Sequence, residues 1–324
     1  MLSNNVSFSN DITVILTFLV NFVDTLKIFA IFIYYWLEGC LKVILPSKLL
    51  TKKSVKNEIV LITGASSGIG KLMAIEFGKL KSKIVIWDID EKKANETTNL
   101  LKNKGVQCWF YKVDVSKKEQ IYEAAEKVKT EVGDVDILIN NAGIVTGKKF
   151  FECEDQLMEL TMSVNVISHF FTTKAFLPSM LNRNHGHIVS IASLAGKFGI
   201  TGLVDYCASK FGAVGFSEAL SEELLSLKKD NVHVTTVCPY YIDTKMFDGV
   251  VTKAPNVLPI LKPEYAVDKI MEAILTNTEY LYLPRFAYLA NILNSILPVK
   301  AMRVLTNYYG INATMKNFIG KKNV

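Results

Sequence analysis

Tyr206 and Lys210 stand four residues apart in the run Asp205-Tyr206-Cys207-Ala208-Ser209-Lys210. On a helix that spacing puts both side chains on one face. A phenol titrates near pH ~10 and is a poor base at neutral pH. A neighbouring ammonium favours the phenolate, and an opposite charge within a few Å lowers a pKa by about 1–3 units. The pair therefore reads as a tyrosine that moves a proton with help from a lysine. The spacing alone arises by chance on amphipathic helices, so its meaning depends on what surrounds it.

A second run with chemical meaning is Thr63-Gly64-Ala65-Ser66-Ser67-Gly68-Ile69-Gly70. It follows an apolar stretch and precedes a helix expected to start near Ile69. Glycines at 64, 68 and 70 depart from the usual dinucleotide fingerprint, but the physics is similar. Glycine permits a tight turn and a close approach of backbone to pyrophosphate, and the helix offers its N-terminus to the anion. Asp88 ends the apolar run Val85-Ile86-Trp87-Asp88, about 20 residues after the glycines. An acid there bonds the ribose 2′-hydroxyl of NAD and repels a 2′-phosphate. Lys71, directly after the turn, is a counterweight, so NAD is favoured over NADP. The competing use for Asp88 is a turn or helix cap before Ile89.

Short apolar runs recur through the body of the chain: 58–63, 83–87, 108–113, 136–140, 187–192, 232–238 and 280–284. Near-continuous apolar strands separated by amphipathic segments predict an α/β fold. The architecture expected is a doubly wound, Rossmann-type parallel sheet of about seven strands in a single domain. The main packing helices should span 154–183 and 207–229. His185 and His187 flank Gly186 and read as loop residues, because no carboxylate or cysteine stands at metal spacing. The five cysteines are scattered and read as free thiols, with no metal site and no disulfide framework.

Half of the residues are hydrophobic, which is high for a fully soluble enzyme. The net charge of +6 is modest, and no basic run carries interleaved aromatics, so nucleic acid is not indicated. The apolar excess concentrates in 12–37, long enough for a bilayer crossing of about 20 residues. Asn21, Asp24 and Lys27 interrupt it, and Asp24 and Lys27 are spaced to pair on a helix. Tyr34, Tyr35 and Trp36 read as an interfacial belt, and Lys42, Lys48, Lys52, Lys53 and Lys56 as its cytoplasmic flank. A retained helical anchor is expected here, crossing the bilayer or lying in its interface.

With TGASSGIG, Asn140-Asn141-Ala142-Gly143, Ser193 and Tyr206-x-x-x-Lys210 in this order, the chain resembles the short-chain dehydrogenases/reductases over about residues 58–285. The runs 144–150, 205–211 and 238–265 are similar to the branch of epidermal retinol dehydrogenases and lipid-droplet 17-beta-hydroxysteroid dehydrogenases. The resemblance implies Tyr206 as general base in oxidation and general acid in reduction. It implies that Lys210 lowers the Tyr206 pKa and holds the nicotinamide ribose, and that Ser193 hydrogen-bonds the substrate oxygen. Asn165 matches the residue that supports a water relay to the lysine. Asp114 matches an adenine-contacting aspartate. Asn140, Ala142 and Gly143 would line the cofactor, and Pro239 and Thr244 would lie beside its carboxamide and phosphates. With the glycine turn, this makes Gly64, Ser66, Ser67, Gly68, Ile69, Gly70 and Asp88 the other cofactor contacts. One departure is Tyr240 after Pro239, where many members have glycine; its bulk is expected to reshape the nicotinamide pocket.

The organisation expected is an anchor and basic linker over 1–57, a dehydrogenase domain over 58–285 and an amphipathic basic tail over 286–324. The stretch from Tyr240 to Pro263 is apolar and should form a loop and helix covering the substrate, which fits a lipophilic alcohol or ketone. The tail is suited to an anionic membrane surface or to docking on the domain. Lys321-Lys322-Asn323-Val324 resembles a di-lysine retrieval signal of the endoplasmic reticulum. The reading is a membrane-associated oxidoreductase facing the cytosol from the reticulum or a lipid droplet, and family resemblance implies a homodimer. It would transfer hydride between NAD and a lipophilic alcohol, retinol first and a sterol second. The rival reading is a non-catalytic lipid-droplet protein that only binds nucleotide.

Overall fold

Seven apolar runs become seven strands, each paired in parallel with its neighbours: β1 (Ile59–Thr63), β2 (Lys83–Asp88), β3 (Cys108–Lys112), β4 (Ile137–Asn140), β5 (Gly186–Ile191), β6 (Val232–Pro239) and β7 (Tyr280–Leu283). This is a computed structural model, and it describes residues 4–44 and 50–319. Lys48 and the di-lysine-like run Lys321-Lys322-Asn323-Val324 lie outside the described residues. The strand order is β3-β2-β1-β4-β5-β6-β7, with Val60 opposite Ile84 on one side and Ile137 on the other. The order reverses between β1 and β4, the switch point at which open α/β sheets bind ligands beyond their strand C-termini.

The strands are apolar on both faces because both faces are covered. Val60, Ile62, Ile84 and Ile86 point to one side, with Phe77 of α2 (Gly68–Lys79), Leu101 of α3 (Glu91–Asn103) and Ile270 of α8 (Pro263–Leu275). Leu61, Val85, Trp87 and Leu138 point to the other. There they meet Ile121 of α4 (Lys118–Glu131), Phe176 of α6 (Ser168–Arg183) and Leu224 of α7 (Val204–Ser226). Burying each such side chain contributes about 1.5–3 kcal/mol.

Local signals set the remaining boundaries. Asp90 caps α3 by accepting the Lys93 amide at 3.1 Å, so Asp88 is not the cap of that helix. The expected helix over 154–183 is helical throughout but carries one widened π turn, Ser163–Ile167, between α5 (Asp155–Met162) and α6. Such turns are rare and often mark functional positions. α7 begins at Val204, earlier than expected, which puts Tyr206 in its first turn. The cover from Tyr240 to Pro263 holds short turns, at Lys245–Phe247 and after Ala254, rather than a helix. Gly249, Pro255 and Pro259 lie along it and break a helical run. Its ends are tied by a bridge between Ile242 and Leu261.

His187 corrects a sequence expectation. It is a strand residue of β5, paired with His233 of β6, and is fully buried. Its ring lies between Lys53 Nζ and Thr235 Oγ1, each at 2.8 Å. Burial holds its imidazole well below the ordinary value and lowers the Lys53 ammonium to about 8. Lys53 is thus a built-in residue at the base of the sheet rather than a solvated member of a basic linker.

The chain divides into two compact units, residues up to Lys52 and residues from Lys53 onward. In the first, α1 (Asn4–Ile44) contains the stretch Leu16–Gly39, 24 residues with a mean hydropathy of 1.9. At 1.5 Å per residue this is about 36 Å, enough for a hydrocarbon core of about 30 Å. The Asp24–Lys27 pair forms on it at 3.2 Å. In the second unit, α9 (Phe286–Ile296) and α10 (Val299–Tyr308) precede a last segment that returns to the cover. There the Ile319 amide donates to Asp248 O at 3.0 Å, and the Val251 amide to Thr314 O at 3.3 Å.

Phe176 and Trp87 meet at 5.7 Å between ring centres and are both fully buried. Replacing Phe176 by Ala should cost about 3–5 kcal/mol. Thermal unfolding of the variant in detergent checks this; an unchanged midpoint would contradict the packing described.

Candidate active site

The glycine turn runs directly out of β1 into α2. Gly64 and Gly68 have φ of +66° and +56°, a region that L side chains avoid. A Cβ on Gly70 would lie 2.4 Å from Gly64 O, whereas nothing lies within 4 Å of where one would stand on Gly68. The turn is therefore closed on its inner side and open at Gly68. Ser67 caps α2 without a side-chain hydrogen bond, which leaves the first-turn amides free to face an anion. Ser66 is clamped at both ends: its amide donates to Asp88 Oδ2 at 2.9 Å and its carbonyl accepts from Thr97 Oγ1 at 3.2 Å. Ile69 packs into the core behind the turn. These features fit a dinucleotide.

The end of β4 locks onto that turn. Thr63 Oγ1 accepts the amides of Asn141 and Ala142, both at 3.0 Å. Asn141 Nδ2 donates to the carbonyls of Thr63 and Gly64 at 2.8 and 3.1 Å. Asn140 points elsewhere, its Oδ1 accepting from Thr172 Oγ1 of α6 at 2.7 Å. So the side chain that braces the cofactor turn is Asn141, which residue types alone did not separate from Asn140. The signal available was strand alternation: adjacent residues at a strand end face opposite sides.

Asp88 closes β2 beside the turn. Its second oxygen accepts the Asp90 amide at 2.9 Å. A carboxylate has about four lone-pair sites, so both oxygens retain capacity for ribose hydroxyls. Asp114 follows β3, and its Oδ1 accepts from the amide and hydroxyl of Ser116 at 2.9 and 2.7 Å. Pro239 ends β6, and Thr244 opens the short turn of the cover.

The residues expected to handle the proton gather beyond β4 and β5. Lys210 and Tyr206 are each 4 % exposed. Lys210 Nζ donates to Ile191 O at 2.8 Å and lies 5.7 Å from the centre of the Tyr206 ring. Asn165, fully buried in the π turn, accepts the Ile144 amide and donates to the Ile144 carbonyl, both at 2.9 Å. Its Nδ2 also donates to Ser209 Oγ at 3.0 Å. A Cβ on Gly143 would stand 3.4 Å from Asn165 Oδ1 and 3.7 Å from Lys210 Nζ, so the two residues converge across that glycine. Ser193 donates to Pro239 O at 3.4 Å, accepts the Ala195 amide at 3.1 Å and hydrogen-bonds Tyr206.

The electrostatics qualify the expected activation. Burial pushes the Tyr206 phenol above its ordinary value, and the Ser193 hydrogen bond opposes this only in part. Burial also lowers Lys210 to about 8. The ammonium sits against a carbonyl and beside the ring, so desolvation of the phenolate outweighs its attraction. As it stands, the pair favours Tyr206 as the neutral phenol, ready to give a proton. Taking a proton requires the phenolate, which higher pH favours.

Two further residues, Asp205 and Met315, were not singled out by the sequence, and they join Tyr240, Tyr241 and Phe247 of the expected cover. Asp205 accepts from Thr146 Oγ1 at 2.7 and 2.9 Å, tying the loop after β4 to the first turn of α7. Phe247 stands edge-on to Tyr206 with ring centres 5.8 Å apart, and Tyr241 stands edge-on to Phe247 at 5.1 Å. Met315, from the tail, packs against the cluster of Leu203, Tyr206 and Cys207. Tyr240 turns its ring into the cluster under the cover, 4.7 Å from Tyr241.

Residues 58–254 match the short chain dehydrogenase family. The human epidermal retinol dehydrogenase 2 is 48% identical over 287 residues, which cover 88% of this chain and 92% of that protein. Retinol dehydrogenase 10-B of Danio rerio is 42% identical over 323 residues, 93% and 94% of the two chains. A solved short chain dehydrogenase/reductase from Burkholderia phymatum in complex with NAD superposes with a TM-score of 0.68 at 25% identity, over 74% of this chain and 94% of that one. The chain belongs to the short-chain dehydrogenase/reductase family and is an oxidoreductase of that family. Within it, the chain falls in the branch that holds the epidermal retinol dehydrogenases.

The bracing role of Asn141 is testable. Asn141→Ala should weaken NADH binding about tenfold, since each lost hydrogen bond is worth about 0.5–1.5 kcal/mol. Asn140→Ala should leave affinity within about twofold, because its bond runs to α6. Fluorescence titration of NADH against both variants measures the contrast; equal losses would contradict it.

Proposed function

We propose that this protein interconverts a membrane-soluble alcohol, all-trans-retinol in the first place, and its carbonyl, with NAD as the favoured cofactor. The observation that carries the reading is the convergence of Ser193, Tyr206, Lys210 and Asn165 beside an aromatic wall, next to a turn shaped for a dinucleotide. The nicotinamide, when bound, supplies the hydride acceptor or donor. Ser193 and Tyr206 hold the substrate oxygen between their hydroxyls. In oxidation the substrate O–H proton passes to Tyr206 Oη; in reduction Tyr206 returns it to the carbonyl oxygen. Lys210 keeps a positive charge by the ring and favours the phenolate whenever the proton has left. Asn165 fixes the loop at Ile144 and holds Ser209, on the same turn of α7 as Lys210, in place.

Phe247, Tyr241 and Met315 exclude water from the reacting oxygen and offer an apolar surface to a lipophilic chain. Similarity to retinol dehydrogenases supports retinol over other alcohols. Asp88 supports NAD, since a carboxylate there repels a 2′-phosphate. α1 would anchor the chain in the endoplasmic reticulum membrane or on a lipid droplet with the catalytic unit on the cytosolic side. The outward apolar residues of α6 and α7, among them Phe170 (52 % exposed), Phe211 (47 %) and Leu225 (61 %), would meet a second copy in a homodimer.

Membranes carrying the protein, given retinol and NAD, should form retinal. Tyr206→Phe should lower kcat by about 10²–10⁴ with NADH binding retained, the range for a lost general acid–base. A variant as active as wild type would remove the assignment. Asp88→Ala should raise the preference for NADP over NAD about tenfold or more by removing the like charge. Paired kcat/KM measurements with both cofactors decide this; an unchanged ratio would count against Asp88 as the selector.

A further inference from the structure

We infer that the outward face of α9 and α10 seats the catalytic unit on an anionic lipid surface, directly behind the segment that roofs the substrate site. This rests on the membrane association proposed above and adds a second, independent contact. In α9, Leu289, Ile292 and Ile296 are 49, 54 and 73 % exposed, and their i, i+3, i+7 spacing puts them on one face. In α10, Val304 and Tyr308 are 68 and 71 % exposed, and their i, i+4 spacing puts them on one face. Large apolar residues gathered in this way mark an interaction surface.

The charge says which surface. Between residues 285 and 319 there are four basic residues, Arg285, Lys300, Arg303 and Lys316, and no acidic one. Lys300 and Arg303 are exposed on α10 among the apolar residues, and Lys253 of the cover stands 5.9 Å from the centre of the Tyr308 ring. Apolar residues mixed with cations alone match the interface of an anionic bilayer, where acyl chains take the first and phosphate headgroups the second.

The inner side of the same tail reaches the chemistry. Just past the end of α10, Gly310, with a φ of +70°, turns the chain back over the cover. Thr314 then hydrogen-bonds the Tyr241 hydroxyl at 3.0 Å, and Met315, like Phe247, packs on the cluster that holds Tyr206. Phe318 and Ile311 pack on the cluster of Tyr241, Val250 and Leu258. One continuous stretch thus carries the lipid-facing residues outside and the substrate roof inside. An alcohol dissolved in the bilayer would reach Tyr206 beneath this roof without crossing water.

The test uses the full chain reconstituted in nanodiscs of phosphatidylcholine, alone or with about 30 mol% phosphatidylserine, an anionic lipid of the cytoplasmic leaflet. Hydrogen–deuterium exchange of 286–308 should slow about fivefold or more on the anionic discs. Lys300→Glu/Arg303→Glu and Ile292→Ser/Ile296→Ser should each remove the difference, with unfolding temperature unchanged. Equal exchange on both lipids, or protection that survives both double variants, overturns the inference. So does protection that rises with protein concentration at fixed lipid composition, which would assign the face to a second copy. Alkaline carbonate extraction separates this from the anchor: a chain that stays in the pellet while α9 and α10 exchange freely keeps the anchor and loses the docking face. A chain released by carbonate loses the anchor reading itself.

Discussion

Lys210 keeps its ammonium out of water on one protein acceptor, the carbonyl of Ile191, at 2.8 Å. A buried cation beside a buried phenol is costly, because desolvation disfavours the charged form of each. The surroundings offset that cost by removing freedom. Ile191 is the last residue of β5 and pairs with Val237 of β6, which holds its carbonyl in place. Asn165 occupies a widened helical turn that aims its amide across Gly143 at the same region. Asp205 pins the loop after β4 to the first turn of α7. The parallel sheet matters to the chemistry mainly because it brings the ends of β4 and β5 to the π turn and the start of α7.

The cofactor side follows the same logic of shared braces. Thr63 and Asn141 join β1 to β4, and Asp88 joins β2 to the glycine turn through the Ser66 amide. Each of these polar side chains satisfies backbone groups at the point where the ladder ends, which would otherwise be left without partners. The site is therefore built from the unavoidable loose ends of a parallel sheet. That is a physical reason for its position at the switch between β1 and β4.

Much of this was legible before folding. All seven strands stood out as apolar runs, since a sheet covered on both faces needs no alternation. The glycine turn was legible because only glycine tolerates its φ values. What was hidden depends on contacts between distant segments. Asn140 and Asn141 are identical in type, and only the strand direction tells which one reaches Gly64. His187 read as a loop residue because no metal-ligand partner stood at the right spacing, yet Lys53, 134 residues away, gives its ring a partner inside the fold. The π turn left no mark in the hydrophobic pattern, because the apolar spacing on either side is ordinary for a helix. Met315 stood outside the region of resemblance, and nothing in its neighbours tells that it returns to Tyr206.

This last point bears on how the reaction and the substrate are encoded. The group proposed to move the proton is made from β4, β5, the π turn and α7, all within the residues 58–254 that match the family. The surface an alcohol would meet is made from the cover and the tail, through Tyr241, Phe247 and Met315. Those segments are held by a handful of bonds, such as Tyr241 to Thr314 and the Ile319 amide to Asp248. They can vary in sequence without disturbing Lys210 and Ile191, which pack within the sheet and its helices. The rigid half of the site thus sets what is done to an oxygen–hydrogen bond. The other half, apolar on its inner side where Tyr241, Val250, Leu258 and Leu261 are buried, would meet the rest of the substrate.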